Sequence, residues 1–236
     1  MRWRVLSAAL APALIGVVMS SCANRKVWVY VPQAVPRIGA PLLDKSVVVT
    51  PLEDARPKLN RDYRAVGFIP LMPFGWQDLE RPEVPLAHLT TTFWLFRPSE
   101  DLAKAIAGEL ARARIFRGVS FARGPTQGDL VLQGRLVSTK FKGLMFTYGL
   151  SIVGEGLWLL GLPAARLRND LELEFVLRDS KTAEVLMKGN YVVREARLAW
   201  VYYLFPDFDC DQLLAEIARM VVADMEKTLP AGAVGK

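Results

Sequence analysis

Few side chains in these 236 residues offer chemistry. There are two cysteines, Cys22 and Cys210, and one histidine, His88. A thiol serves as nucleophile, metal ligand, redox partner or acylation site. His88 has no second histidine and no cysteine cluster to join it, so neither a metal site nor a nucleophile–base pair is expected. The run Asp207-x-Asp209-x-Asp211 alternates carboxylates as a calcium loop does, but that loop needs Gly at its sixth position and Glu at its twelfth. Gln212 and Ala218 stand there instead. Glu172 and Glu174 lie two residues apart in a strand pattern, which puts both on one solvated face. No Gly-x-Ser-x-Gly elbow, HExxH, phosphate loop or dinucleotide fingerprint occurs. The expectation is therefore no enzyme, no metal and no cofactor beyond a modification of Cys22.

Cys22 closes the stretch MRWRVLSAALAPALIGVVMSSC. Arg2 and Arg4 make a basic start, Val5–Met19 an uncharged core and Ser20-Ser21 a small-residue end, the three parts of a secretory signal. A plain signal cut elsewhere and a short membrane anchor are the competing readings. The anchor is disfavoured because a spanning helix needs about 20 apolar residues, whereas this run has 15 and holds Pro12. Ser20-Ser21-Cys22 resembles the lipobox of bacterial lipoproteins, although Met19 stands where that family prefers Leu. The resemblance implies a signal peptide over 1–21, cleavage before Cys22, and a covalent diacylglycerol and N-acyl chain (palmitate) on that residue. The partner of Cys22 is then the lipid bilayer. Ala23, where Asp would favour retention in the inner membrane, implies the outer membrane, with the body facing the periplasm.

Cleavage leaves 215 residues, enough for one sizeable domain. Hydrophobic residues make up 52%, so a core is within reach. The precursor carries +6 and the mature chain near +4, with basic residues scattered. Scatter and a periplasmic address together exclude nucleic acid as a partner. Mild attraction to anionic head groups fits better, with solvated charge as the default. If Cys22 is acylated, Cys210 is either a buried thiol or half of an intermolecular bridge.

The elements that must position these residues follow from periodicity. Residues 22–45 read as acylated Cys and extended tether, interrupted by Pro32, Pro36 and Pro41. Residues 46–229 read as one domain and 230–236 as a frayed tail. Strands are expected at 46–50, 91–96, 116–121 and from 130 to about 141. Residues 171–178 and 184–196 form an antiparallel hairpin, with Val185, Met187, Tyr191 and Val193 on one face. A helix opens at Ser99 as cap and runs to Arg114. A second is entered through Asp209 and Gln212 as a capping box. Asp54 and Arg56 are placed to pair across a turn.

Two apolar segments fit no regular element. Residues 57–92 carry five prolines and enclose the uncharged run 66–76. This run either covers the domain or is an exposed contact. Residues 143–165 hold five glycines, Pro163 and the single charge Glu155. Gly154-Glu155-Gly156 reads as a turn between two apolar arms of about ten residues. A packed lid or subunit contact, a membrane-surface contact and an inserted hairpin remain open for it. Leu71, Phe74, Trp76, Leu144, Phe146, Tyr148, Leu157, Trp158 and Leu159 are the expected partner or membrane contacts.

The fold class expected is α+β: a largely antiparallel sheet of about five strands with two helices on one face, plus an apolar Gly-rich insertion. This element order is similar to that of the amino-terminal domain of the Tol-system translocation protein and of the curli-secretion lipoprotein. The resemblance implies a role in envelope assembly or secretion, through contacts with a protein partner or a second copy. A lipid-handling accessory protein and a subunit of an oligomeric secretion channel are the alternatives.

Overall fold

The computed structural model describes residues 25–33, 35–83, 93–124, 128–202 and 210–229. Cys22 and the signal stretch, His88, the turn residues Pro125–Gln127, the acids Asp207 and Asp209 with the proposed capping box, and the tail 230–236 lie outside the described residues.

The fold is built on β10 (Ala165–Asp179). Its side chains alternate: Leu167, Leu171, Leu173, Phe175 and Leu177 are buried, while Arg166, Arg168, Glu172 and Glu174 face outward. Along one edge β11 (Val185–Ala199) pairs antiparallel from Ala165↔Ala199 to Arg178↔Val185. Along the other edge β10 meets β9 (Phe141–Phe146) at its start and β8 (Leu130–Ser138) at its end. β8 and β9 thus form one path beside β10, broken at Thr139 and Lys140. The expected single strand from 130 to 141 is two strands. The predicted strand at 171–178 extends six residues further toward its start.

Beyond β8 the sheet continues as β2 (Leu43–Val49) and β7 (Phe116–Phe121), all parallel, with β3 (Glu53–Asp54) also parallel on β8. Beyond β9 it continues as β5 (Phe74–Leu79) and β4 (Asn60–Tyr63), both antiparallel. Nine strands stand in this sheet among the described residues, rather than five. β1 (Arg25–Val27) and β6 (Phe93–Leu95) form a separate parallel pair. The undercount has a plain cause. β4 and β5 lie in the proline-rich stretch 57–92, where Arg61-Asp62-Tyr63 and Gly75-Trp76-Gln77 show no period-2 hydrophobicity. Their partner across the sheet supplies the order.

Helix α1 (Pro98–Ala113) buries Leu102, Ala103, Ile106, Leu110 and Ala113. It does not use Ser99 as its cap. Pro98 takes the first position, and the Asp101 carboxylate accepts the Arg97 N–H at 2.8 Å. The Ser99 carbonyl instead accepts the Leu52 N–H. Helix α2 (Gly156–Leu159) is one turn, and helix α3 (Cys210–Thr228) buries Leu213, Leu214, Ile217, Val221 and Met225. Three α-helices stand among the described residues, where two were expected. α1 and α3 pack on β2, β7, β8, β10 and β11 and on each other. On β11, Met187, Tyr191 and Val193 face the core, but Val185 is exposed because the register slips beside Arg178. Cys210 is buried at the start of α3.

The helices share a direction. Arg37 donates its N–H to the Arg112 carbonyl near the end of α1 and its guanidinium to Glu226 near the end of α3. Trp28 meets Phe96 edge-on just before α1 and donates to Asp211 in the first turn of α3. Residues 28–33 and 35–42, expected as tether, therefore lie along both helices. α1 leads at once into β7, parallel to β8, and β8 leads on to β9. Both helices consequently start toward the end of the sheet where β9 and β11 finish.

Candidate functional site

Among the described residues no group of His, Cys, Asp and Glu could hold a metal ion. Glu172 and Glu174 face solvent, one accepting from Asn190 and the other near Arg135. Asp211 receives the Trp28 indole. The most buried ionic cluster lies around Arg56, which donates to Asp54 (2.9 Å), Glu83 (2.7 Å) and Thr139 (2.5 Å). Its hydrogen bond holds the Asp54 carboxyl below the usual carboxylate range. For Arg56 itself burial works against the charge, and the bonds to Asp54 and Glu83 more than offset it. With every donor engaged, this cluster ties β3 to the β8–β9 junction.

The apolar segments are different. Residues 66–74 and 147–162 come together at the end of β5, β9 and β10. The Leu71 N–H donates to the Gly149 carbonyl at 3.0 Å, and the Thr147 and Tyr148 N–H groups both donate to the Pro73 carbonyl at 2.9 Å. The Thr147 hydroxyl donates to Met72 O, and the Ser151 hydroxyl to Phe68 O. The Trp158 indole donates to Phe146 O at 2.8 Å, and the Tyr148 hydroxyl to Pro163 O at 2.6 Å. Burial pushes that phenol upward in pKa. The Tyr202 hydroxyl, beyond the end of β11, reaches Leu159 O. A Cβ at Gly154 would collide with the Thr147 carbonyl, so only glycine lets the 3-10 turn Ser151–Glu155 lie so close. Leu71, Tyr148 and Ser151 hold φ of 71°, 56° and 54°, a conformation that costs non-glycine residues energy.

These polar groups are consumed inside the cap, and the apolar side chains are left outside. Leu71 is 88% exposed, Leu160 80%, Val153 77% and Ile152 69%. Of the residues singled out from sequence, Leu71, Phe74 and Leu159 are exposed in the cap. Trp76, Leu144 and Phe146 are half-buried on the outward sheet face, and Trp76 packs against Tyr63 with ring centres 5.3 Å apart. Tyr148, Leu157 and Trp158 are half-buried supports. The two-armed hairpin about Gly154-Glu155-Gly156 is not formed. Residues 143–146 finish β9, and 151–159 coil into the 3-10 turn and α2, because Trp158 and Tyr148 fold the segment back on itself. Ile69, Ile152, Val153, Leu160 and Tyr202 were missed as surface residues. The paired apolar residues Ile152-Val153 and Leu159-Leu160 between glycines were the available signal.

The outward sheet face grades away from the cap in cross-strand rows. Phe74↔Phe146 comes first, then Tyr63↔Trp76↔Leu144↔Arg166↔Leu198, then Arg61↔Asp78↔Lys142↔Arg168↔Ala196. Arg61, Lys142 and Arg166 are exposed and make no ion pair among the described residues; Asp78 is engaged by Lys140 at 3.2 Å and Arg168 by Asp170 at 2.9 Å.

No helix among the described residues is long and apolar enough to cross a membrane. No protein-family model matches the chain, and no curated protein matches it. Among solved structures, protein XCC0632 of Xanthomonas campestris, of family DUF330, is similar with a TM-score of 0.49 at 12% identity, over 86% of this chain and 96% of that one. A PelC variant from Paraburkholderia phytofirmans, described as a dodecamer, gives 0.36 at 14% identity, over 85% and 95%. At these scores neither likeness carries a functional argument.

Proposed function

We propose that this chain is a non-enzymatic lipoprotein of the cell envelope, anchored in the outer membrane through acylated Cys22 and facing the periplasm. It works in envelope assembly or secretion by binding, with the cap of residues 66–74 and 147–162 as its contact surface. The observation that carries the binding role is the cap itself: large apolar side chains held outward by a hydrogen-bonded frame, on a domain whose core leucines are buried. The anchor rests on the lipobox resemblance at Ser20-Ser21-Cys22. Feeding cells radiolabelled palmitate tests it. Label entering the wild-type protein and missing from Cys22→Ser is the expected result; equal labelling of both, or none in the wild type, sinks the reading.

A further inference from the structure

We propose that the cap rests on an anionic lipid bilayer, with Arg61, Lys142 and Arg166 at the level of the head groups; this inference rests on the lipoprotein reading above and names the partner of its contact surface. Three independent features of the molecule meet here. The first is the grading of the outward face. Rows on a strand face are about 6.7 Å apart. Arg166 therefore stands one row behind Phe74 and Phe146, and Arg61 and Lys142 stand two rows behind. The head-group layer on each side of a bilayer is roughly 5–8 Å deep. Apolar side chains lowered past that layer would bring Arg166 to the lipid phosphates and hold Lys142 and Arg61 just above them. Aromatic rings lie between, where membrane proteins keep their Trp and Tyr.

The second feature is charge. Arg61, Lys142 and Arg166 make no ion pair among the described residues, while Arg64 beside the cap is held by Asp62; of the acids on this face, Asp78 is taken by Lys140 and Asp170 by Arg168, and Glu172 and Glu174 sit farther along β10. A protein partner or a second copy would need to bring its own acids to match. An anionic bilayer supplies them without geometry, at about fivefold in affinity for each cation near its surface. The third feature is where the chain leaves the body. Followed backward from Arg37 to Trp28, residues 35–37 and 28–33 lie along α1 and α3 toward the starts of both helices. That direction is toward the cap; the start of α1 itself is level with Phe175, ten residues along β10 from Ala165, because Ser99 O accepts from Leu52 and Leu52 lies on Gly134. Cys22 is six residues beyond Trp28, a reach of about 20 Å. An acyl chain there would turn that end of the body toward the same bilayer.

The test uses the acylated full chain carrying Leu160→Cys, or Lys181→Cys in the far β10–β11 turn, labelled with nitrobenzoxadiazole, whose emission moves to the blue on leaving water; Cys210 is buried and stays unlabelled. The protein is added to vesicles of phosphatidylcholine alone, or with about a third phosphatidylglycerol. A blue shift at position 160 that needs phosphatidylglycerol, with position 181 unchanged, is expected. Lys142→Gln and Arg166→Gln should each lower the shifted fraction roughly fivefold, and Arg166→Lys should restore it. A water-like label on vesicles that hold the protein overturns the inference, as does an equal shift on neutral lipid. Cross-linking of position 160 to itself or to another envelope protein would name a different occupant and also overturn it. The anchor is read separately, by vesicle recovery of wild type against Cys22→Ser. If that difference is missing, the lipoprotein reading fails, while a blue-shifted position 160 still supports the cap assignment.

Discussion

The sheet has two halves that treat apolar residues in opposite ways. Where α1 and α3 cover β2, β8, β10 and β11, every core leucine of β10 is buried and the outward positions of β10 are charged except Val176. At the other end, around β5 and β9, Leu71, Leu160, Val153 and Ile152 point into solvent. A chain that buries Leu132, Leu136, Leu173 and Leu177 completely does not lack the means to bury four more. Nor is the exposed end frayed. Its backbone is tied by the Pro73, Gly149 and Phe146 carbonyls, and its strained residues stay in place. Ordered exposure of this kind marks a surface kept for contact.

Substitutions in the two halves should separate them sharply. Phe175→Ala, in the helix-covered half, is expected to cost about 3–5 kcal/mol, measured by urea unfolding, because a large ring leaves a cavity. A loss under 1 kcal/mol would mean that this half is not the stability core. Next comes Arg56→Leu, which leaves Glu83 without its cation and Asp54 with Arg81 alone, and should cost about 3 kcal/mol. It is the clasp between the halves, so hydrogen exchange should accelerate at Leu136 and Phe141 together. Faster exchange on one side alone would argue against a shared clasp.

Gly154→Ala should cost about 2 kcal/mol by pressing a methyl group on the Thr147 carbonyl. Its effect should be confined to the cap: faster exchange at Leu71 and Tyr148, with β10 unchanged. Acid gives a smaller change. Arg56 holds Asp54 low, the Ser46 backbone N–H does the same for Asp129, and the Lys181 N–H for Asp179. A carboxyl with a lowered folded-state pKa stabilises fully above its unfolded value near 3.8, and that stabilisation disappears as pH falls through the folded value. Thermal stability should thus be flat with respect to these acids above about pH 5 and decline below 4, and Arg56→Leu should flatten the decline. Stability that rises on acidification would contradict the pairing. Smallest of all, Leu71→Ser should move unfolding by no more than about 0.5 kcal/mol. If it costs as much as a core substitution, the cap is not a free surface.

Tyr30 and Tyr191 show how the halves differ in their use of polar groups. Each buried phenol, its pKa raised first by desolvation and then by an acid, Glu109 or Asp224, ties a peripheral segment to a helix. In the cap the phenols of Tyr148 and Tyr202 bond to backbone carbonyls, and Glu155 is the one carboxylate among residues 147–162.

Local pattern was enough for the elements whose own residues alternate or repeat. The 171–178 and 184–196 hairpin, the helix that begins near residue 99 and the α+β class were all legible, because each buries one face of a regular element and the period shows in the chain. The Asp54–Arg56 pair was legible because its partners are two residues apart. Only the tertiary structure decided that residues 60–63 and 74–79 are strands, since their order comes from β9 rather than from their own hydrophobicity. It alone decided that 143–165 coils into a cap instead of two arms, because the carbonyls that hold it belong to residues as far away as Phe68 and Met72. It alone set Arg61, Lys142 and Arg166 in adjacent rows behind that cap. Charges 105 positions apart in the chain come onto one face in adjacent rows only when four strands share a register, and no local periodicity encodes that.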